Sequence, residues 1–342
     1  MRNPHLHRKS QDQTWEVDSI FEGIRKGDRL SLSKGITLIE SRAEKHEEKA
    51  ATLLEKCIPF SGRAKRIGIT GSPGVGKSSW IEEWGLWLIE RGHAPAVLAI
   101  DPSSSISKGS LLGDKTRMTH LSRHPKAFIR PSPANDTLGG VAHSTKESII
   151  LCEAAGFDTI IIETVGVGQS ETMVRQMVDF FFLLILPGSG DDLQGIKRGI
   201  VELADLIAIH KADGDRVALA KRTKKDFRNA LHLFAHEEGS WIPSVITASA
   251  FEKQGLDTAW EIIEAYYRHK TENGSLDELR NHQNLFWFEN RLNAFLLNWL
   301  QSKPEIAQML QEERSLLAEG TQSTTTAINH VKTRLRSLFK DS

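Results

Sequence analysis

Seven short runs of the chain are almost wholly apolar: Ile67–Thr70, Ala96–Ile100, Ala127–Arg130, Thr159–Thr164, Phe180–Leu186, Leu206–Ile209 and Val245–Ala248. Amphipathic stretches of helix length separate them. Strands with no polar alternation are buried on both faces, so the pattern predicts an α/β fold with a mainly parallel sheet and helices on each side. Residues 1–62 carry helical spacing instead, with Ile20, Ile24 and Leu30 followed by Leu32, Ile36 and Ile39, and are read as a helical N-terminal extension. The α/β unit is placed at residues 63–272. Beyond it, Leu285, Phe288, Leu292, Phe295, Leu296 and Trp299, then Ile328, Val331, Leu335 and Leu338, repeat at three- and four-residue steps. Residues 273–342 are therefore expected to be a helical C-terminal extension, and the last stripe, too short for a free coiled coil, is expected to serve as a dimer arm.

In a fold of this kind ligands bind at the carboxyl ends of the strands, and the polar residues gather there. The first strand runs into Gly71-Ser72-Pro73-Gly74-Val75-Gly76-Lys77-Ser78-Ser79 and then into a helical pattern. This is a phosphate-binding loop: glycines allow successive backbone N–H groups to turn toward an anion, and the next helix presents its positive end. Lys77 reaches the β- and γ-phosphates, and the Ser78 hydroxyl coordinates Mg²⁺. Trp80, Trp84 and Trp87 form a stripe on the same helix and are read as core.

Three carboxylates converge on the loop from elsewhere: Asp101 at the end of the second strand, Asp114 in LLGDKTRM and Glu163 at the end of the fourth strand. With Ser78 they form a candidate metal and catalytic set, joined by Lys77. Gly166 is placed to offer an N–H to a γ-phosphate, which makes its segment a candidate switch. His210-Lys211-Ala212-Asp213 follows the sixth strand, where a base-reading loop falls. An Asp213 carboxylate there accepts hydrogen bonds from guanine N1 and N2, which adenine cannot supply. Ser249-Ala250, after the next strand, is expected to add a backbone N–H for guanine O6. His232 and His236 lie one helical turn apart beside Glu237 and are read as a solvated helix face, since no third metal ligand is evident.

Charge and length narrow the function further. Forty-four basic and 44 acidic side chains cancel over 342 residues, which gives no global field for nucleic acid or an anionic membrane. No apolar run approaches the roughly 20 residues of a membrane helix. With only Cys57 and Cys152, both read as small buried hydrophobes, the expectation is a cytoplasmic protein.

Taken together, GITGSPGVGKSS, VLAIDPSSS, LLGDKTRM, FIRPSP with LGGVA, ETVGVGQSE and LPGSGDDLQGIKRGIVELADLI resemble one family, the MeaB/ArgK-type GTPases that associate with the adenosylcobalamin enzyme methylmalonyl-CoA mutase. The resemblance spans roughly residues 20–300. It implies a P-loop G domain of the signal-recognition-particle-like class with helical extensions, GTP/GDP and Mg²⁺ as cofactors, homodimers, and a chaperone role that gates cofactor loading and protects or reactivates the mutase. It also implies that Gln194 and Lys197, in GSGDDLQGIK, act as a further switch. His210 departs from the family, which has Asn there, and this predicts weaker guanine binding that titrates near neutrality. SKGS at Ser107–Ser110 departs from the usual TGGS. A metallochaperone GTPase of the same fold class is a rival reading, as is a P-loop small-molecule kinase. The first would want a histidine-rich tract, for which His5 and His7 are a poor substitute; the second would need an acceptor pocket and lid.

Overall fold

A computed structural model describes residues 16–41, 43–100, 118–131, 138–164, 170–189, 198–231 and 240–338. Its contacts divide it into two compact units, residues 1–280 and 281–342.

The first unit opens with α1 (Val17–Arg25), α2 (Arg29–Ile39) and α3 (Glu44–Cys57). Asp28 caps α2 by accepting from the N–H groups of Leu30 and Ser31, which stops the chain from continuing α1 straight through. Ile20, Ile24, Leu32, Ile36, Leu38 and Leu53 are buried, whereas Leu30, on the first turn of α2, is 64% exposed. The buried face is thus one position out of step with the predicted stripe at its two ends, where Leu38 replaces Ile39.

Strands and helices then alternate: β1 (Lys65–Gly71), α4 (Lys77–Glu90), β2 (Pro95–Ile100), α5 (Thr119–Arg123), β3 (Phe128–Arg130), α6 (Leu138–Ala154), β4 (Thr159–Thr164), α7 (Ser170–Arg175), β5 (Phe180–Ile185), α8 (Arg198–Leu203), β6 (Leu206–Ile209), α9 (Val217–Leu231), β7 (Ser244–Thr247) and α10 (Leu256–Glu272). The seven strands form one sheet in the order β3-β2-β4-β1-β5-β6-β7, and every pairing is parallel. All six residues of β2, of β4 and of β5 are buried, as two-sided coverage requires. On one face Ile67 and Ile69 of β1 meet Trp80 and Trp84 of α4 and Trp260, Ile263 and Tyr266 of α10. The three-layer arrangement places β1 centrally, with β4 on one side and β5 on the other. The chain leaves β1 toward one half of the sheet and returns to build the other, so the carboxyl end of β1 is the topological switch point.

The amino end of β1 is held by a buried ionic cluster. Asp179, fully buried just before β5, accepts from the Arg66 N–H at 3.1 Å, Tyr267 Oη at 2.7 Å, Arg280 Nε at 2.9 Å and Arg280 Nη2 at 2.7 Å. Arg280 also donates to the carbonyls of Gly62 and Ala64. The buried charge is therefore met by four donors, one on Oδ1 and three on Oδ2.

The long helix α11 (Ser275–Ser302) continues into the second unit, followed by α12 (Pro304–Ala318) and α13 (Thr324–Leu338). Within that unit Ile306, Met309 and Ala327 are buried, and Arg334 pairs with Glu312 at 2.8 Å. The predicted stripe on α11 is helical but not covered: Leu285, Phe288 and Phe295 are each at least 60% exposed. Among the described residues no helix is long and apolar enough to cross a membrane. Cys57 and Cys152 are buried free thiols, and burial raises the Cys57 thiol to about 11.

Candidate functional site

The phosphate loop occupies the carboxyl end of β1. Gly71 turns the strand at φ 152°, where a Cβ would lie 2.4 Å from the Leu184 carbonyl oxygen of β5. Gly76 caps α4 in the left-handed region at φ 101°. A Cβ on Gly76 would stand 2.8 Å from Cε1 of His210, so that glycine answers both a backbone and a packing demand. Lys77, the first residue of α4, is buried, and its ammonium donates to the carbonyls of Gly71 at 2.7 Å and Ser72 at 3.3 Å. The loop residues Ser72, Pro73, Gly74 and Val75 thus lie between a fixed strand end and the positive end of a 14-residue helix, with a cation beneath them.

Ser78 and Glu163 meet as expected. The Ser78 hydroxyl donates to Glu163 Oε1 at 2.9 Å, although the residues are 85 positions apart, because β1 and β4 are neighbours in the sheet. One residue after Glu163, the buried Thr164 hydroxyl donates to the Thr70 hydroxyl at 2.9 Å and ties the two strand ends together. A hydroxyl and a carboxylate oxygen at the mouth of a phosphate loop are hard donors of the kind Mg²⁺ takes, so these two residues fit that ion. Asp101, Asp114, Gly166, Gln194 and Lys197, along with His232 and His236, lie outside the described residues. Among the described residues no group of three His, Cys, Asp or Glu side chains gathers into a metal cluster.

The loop after β6, expected from the sequence to read a base, shows a connection that sequence reasoning missed. His210, buried after β6, faces the Val75 carbonyl with Nδ1 at 2.8 Å and the Ala250 N–H with Nε2 at 3.2 Å. These partners assign the tautomer: Nδ1 carries the proton and Nε2 is bare. The ring also stands edge-on to Trp80, with centroids 5.7 Å apart. One neutral imidazole therefore joins the phosphate loop, the loop after β6 and the loop after β7. Burial lowers the His210 pKa from its ordinary 6.5, with Lys211 acting in the same direction and the Val75 carbonyl and Asp213 opposing. This corrects the expectation of titration near neutrality, since a proton on Nε2 would both charge a buried ring and face an N–H. It also revises the role expected of Ala250, whose N–H is donated to His210.

Lys211 adopts a left-handed backbone at φ 59° and stretches its ammonium to the Gly74 carbonyl at 2.8 Å, a second tie between the loops. Asp213 accepts from the Ser249 hydroxyl, which holds the carboxylate at the rim of a cleft of about 210 Å³. Gly76, Ser79, His210, Lys211, Arg216, Ala250 and Phe251 line that cleft with Asp213. Arg216 and Phe251 were not singled out from the sequence. The available signal was their spacing, three residues after Asp213 and one after Ala250.

The family model described as "Methylmalonyl Co-A mutase-associated GTPase MeaB" matches residues 32–305. A protein of Caulobacter vibrioides named as a GTPase is 49% identical over 305 residues, covering 89% of this chain and 93% of that one. The Escherichia coli protein "GTPase ArgK" is 40% identical over 318 residues, covering 93% of this chain and 96% of that one. Among solved structures, one titled "Crystal structure of LAO/AO transport system kinase" aligns with a TM-score of 0.76 and 34% identity, over 94% of this chain and 97% of its own.

Proposed function

Since the chain belongs to the MeaB family of methylmalonyl-CoA mutase-associated GTPases, we propose that its GTP hydrolysis times a chaperone cycle on an adenosylcobalamin-dependent acyl-CoA mutase. In this reading the nucleotide state gates cofactor loading and protects or reactivates the mutase. The observation that supports its nucleotide-binding part is the joining of the phosphate loop to the loop after β6 through His210 and Lys211, which would let one assembly hold both ends of a nucleotide.

The chemistry is attack of water on the γ-phosphorus with departure of the β–γ bridging oxygen, which yields GDP and phosphate. Lys77 and the N–H groups at the start of α4 stabilise the charge that gathers on the phosphate oxygens. Bound Mg²⁺ would supply further positive charge against that on the phosphate oxygens. Ser78 would hold it directly, and Glu163, whose carboxylate receives the Ser78 hydroxyl, would hold its water shell. By the family pattern Asp101 and Asp114 complete the metal and water arrangement, Gly166 donates to the γ-phosphate, and Gln194 and Lys197 close on the nucleotide when the mutase is engaged. Asp213 accepts from guanine N1 and N2 while Ser249 steadies it. The unit of action is a homodimer, a reading supported by the uncovered apolar face of α11.

Calorimetric titration of GDP, a GTP analogue and an ATP analogue with Mg²⁺, without and with a purified adenosylcobalamin mutase, tests this reading. Guanine nucleotides are expected to bind and the mutase to shift their affinity. Preference for the adenine analogue would overturn the base assignment, and nucleotide binding indifferent to the mutase would overturn the chaperone role.

A further inference from the structure

Phe251 is the most exposed large apolar side chain among the described residues, at 89%. A single exposed phenyl ring ordinarily needs no explanation, but the turn that carries this one is tightly built. Ser249 and Gln254 exchange both backbone hydrogen bonds, at 3.1 and 2.9 Å, which closes the loop between them. Inside it the Lys253 N–H reaches the Ala250 carbonyl at 3.3 Å, the Glu252 N–H reaches Ser249 Oγ at 3.1 Å, and Lys253 adopts a left-handed backbone at φ 54° without being glycine. Such a conformation persists only where its surroundings over-determine it.

The turn is also fastened to the nucleotide-binding elements at three points. Ala250 donates to His210 Nε2, Ser249 donates to Asp213, and Lys253 pairs with Glu83 of the phosphate-loop helix at 3.0 Å. Its backbone is therefore held in place relative to the cleft, while the ring at its tip, itself part of the cleft lining, stacks on no other ring or cation among the described residues. Asp213 reads one edge of a base, and both nitrogens of His210 are already engaged within the protein. Edge recognition does not engage the flat faces of the purine, and a phenyl ring on a preorganised turn in the same cleft suits one of them.

We propose that Phe251 is a base-binding residue whose ring stacks on the purine of the bound guanine nucleotide and contributes affinity independently of the hydrogen bonds at the base edge. The proposal rests on the guanine-nucleotide reading above and adds to it a residue that the family motifs do not include.

The test compares GDP with inorganic pyrophosphate, which engages the phosphate loop but has no base, in titrations of the wild-type, Phe251→Ala and Phe251→Tyr proteins with Mg²⁺. Base–aromatic stacking predicts that Phe251→Ala weakens GDP roughly tenfold or more. Pyrophosphate affinity should stay unchanged, and Phe251→Tyr should retain GDP binding. Unchanged GDP affinity in Phe251→Ala would overturn the proposal alone. Equal losses for GDP and pyrophosphate would overturn it too, by showing that the residue acts through the loop and not on the base. A wild-type protein that fails to take GDP would refute the guanine reading together with this one. The ring is exposed, so the variants are expected to fold as the wild type does.

Discussion

At the scale of single residues, His210 shows how one side chain is read differently once its partners are known. From its place in the motif it replaces an asparagine and should loosen base binding. Its partners instead lie 135 and 40 positions away in sequence, and they employ both ring nitrogens of the neutral form. A histidine held neutral takes up its proton more readily when the chain unfolds, so its contribution is complete above the ordinary pKa of 6.5 and is lost as pH falls through that value toward the lowered folded one. The expected outcome is that wild-type stability relative to His210→Asn declines as pH is taken from about 7.5 to about 5.5, over the range where histidine titrates. Thermal melts of the two proteins at each pH check it, and a stability difference independent of pH would contradict a ring held neutral by burial.

Among the elements, β1 is the one on which the site depends, since its carboxyl end becomes the phosphate loop while its amino end rests on Asp179. That carboxylate joins β1, β5, α10 and the start of α11 through Arg66, Tyr267 and Arg280. Replacing it with alanine leaves a guanidinium and a phenol without their acceptor in a buried setting, and removal of one partner of a buried ion pair costs about 3–5 kcal/mol. Urea unfolding of Asp179→Ala should show a loss of that size. The cluster and the loop lie at opposite ends of the strand, so the folded variant should still bind GDP; a variant as stable as wild type would show that the cluster contributes nothing net. The elements themselves were largely legible. All seven strands form within two residues of the predicted runs, because strands buried on both faces leave unbroken apolar segments in the sequence.

On the scale of the molecule, the proposed homodimer is tested at the exposed apolar face of α11. Phe288, Phe295 and Leu285 are each at least 60% exposed on one face of that helix, and a neutral protein has no net charge to oppose self-association. Sedimentation should find a dimer for the wild type and a monomer for the double variant Phe288→Asp and Phe295→Asp, with GDP affinity preserved in the monomer. A wild-type protein that remains monomeric across concentration would remove the dimer from the proposed function.

The sequence by itself determined what depends on near neighbours: apolar runs long enough to be strands, the glycine spacing of a phosphate loop, the helical periodicity of both extensions, and motifs dense enough to identify a family. Tertiary structure alone decided what depends on distant partners. The strand order brought Glu163 to Ser78, the packing of three loops set the tautomer of His210, and the Ser249–Gln254 turn brought Phe251 to the cleft. The division is physical. Backbone preferences and periodicity act over a few residues and are written in local order, whereas hydrogen bonding of a buried polar group is settled by whichever segments the fold brings beside it.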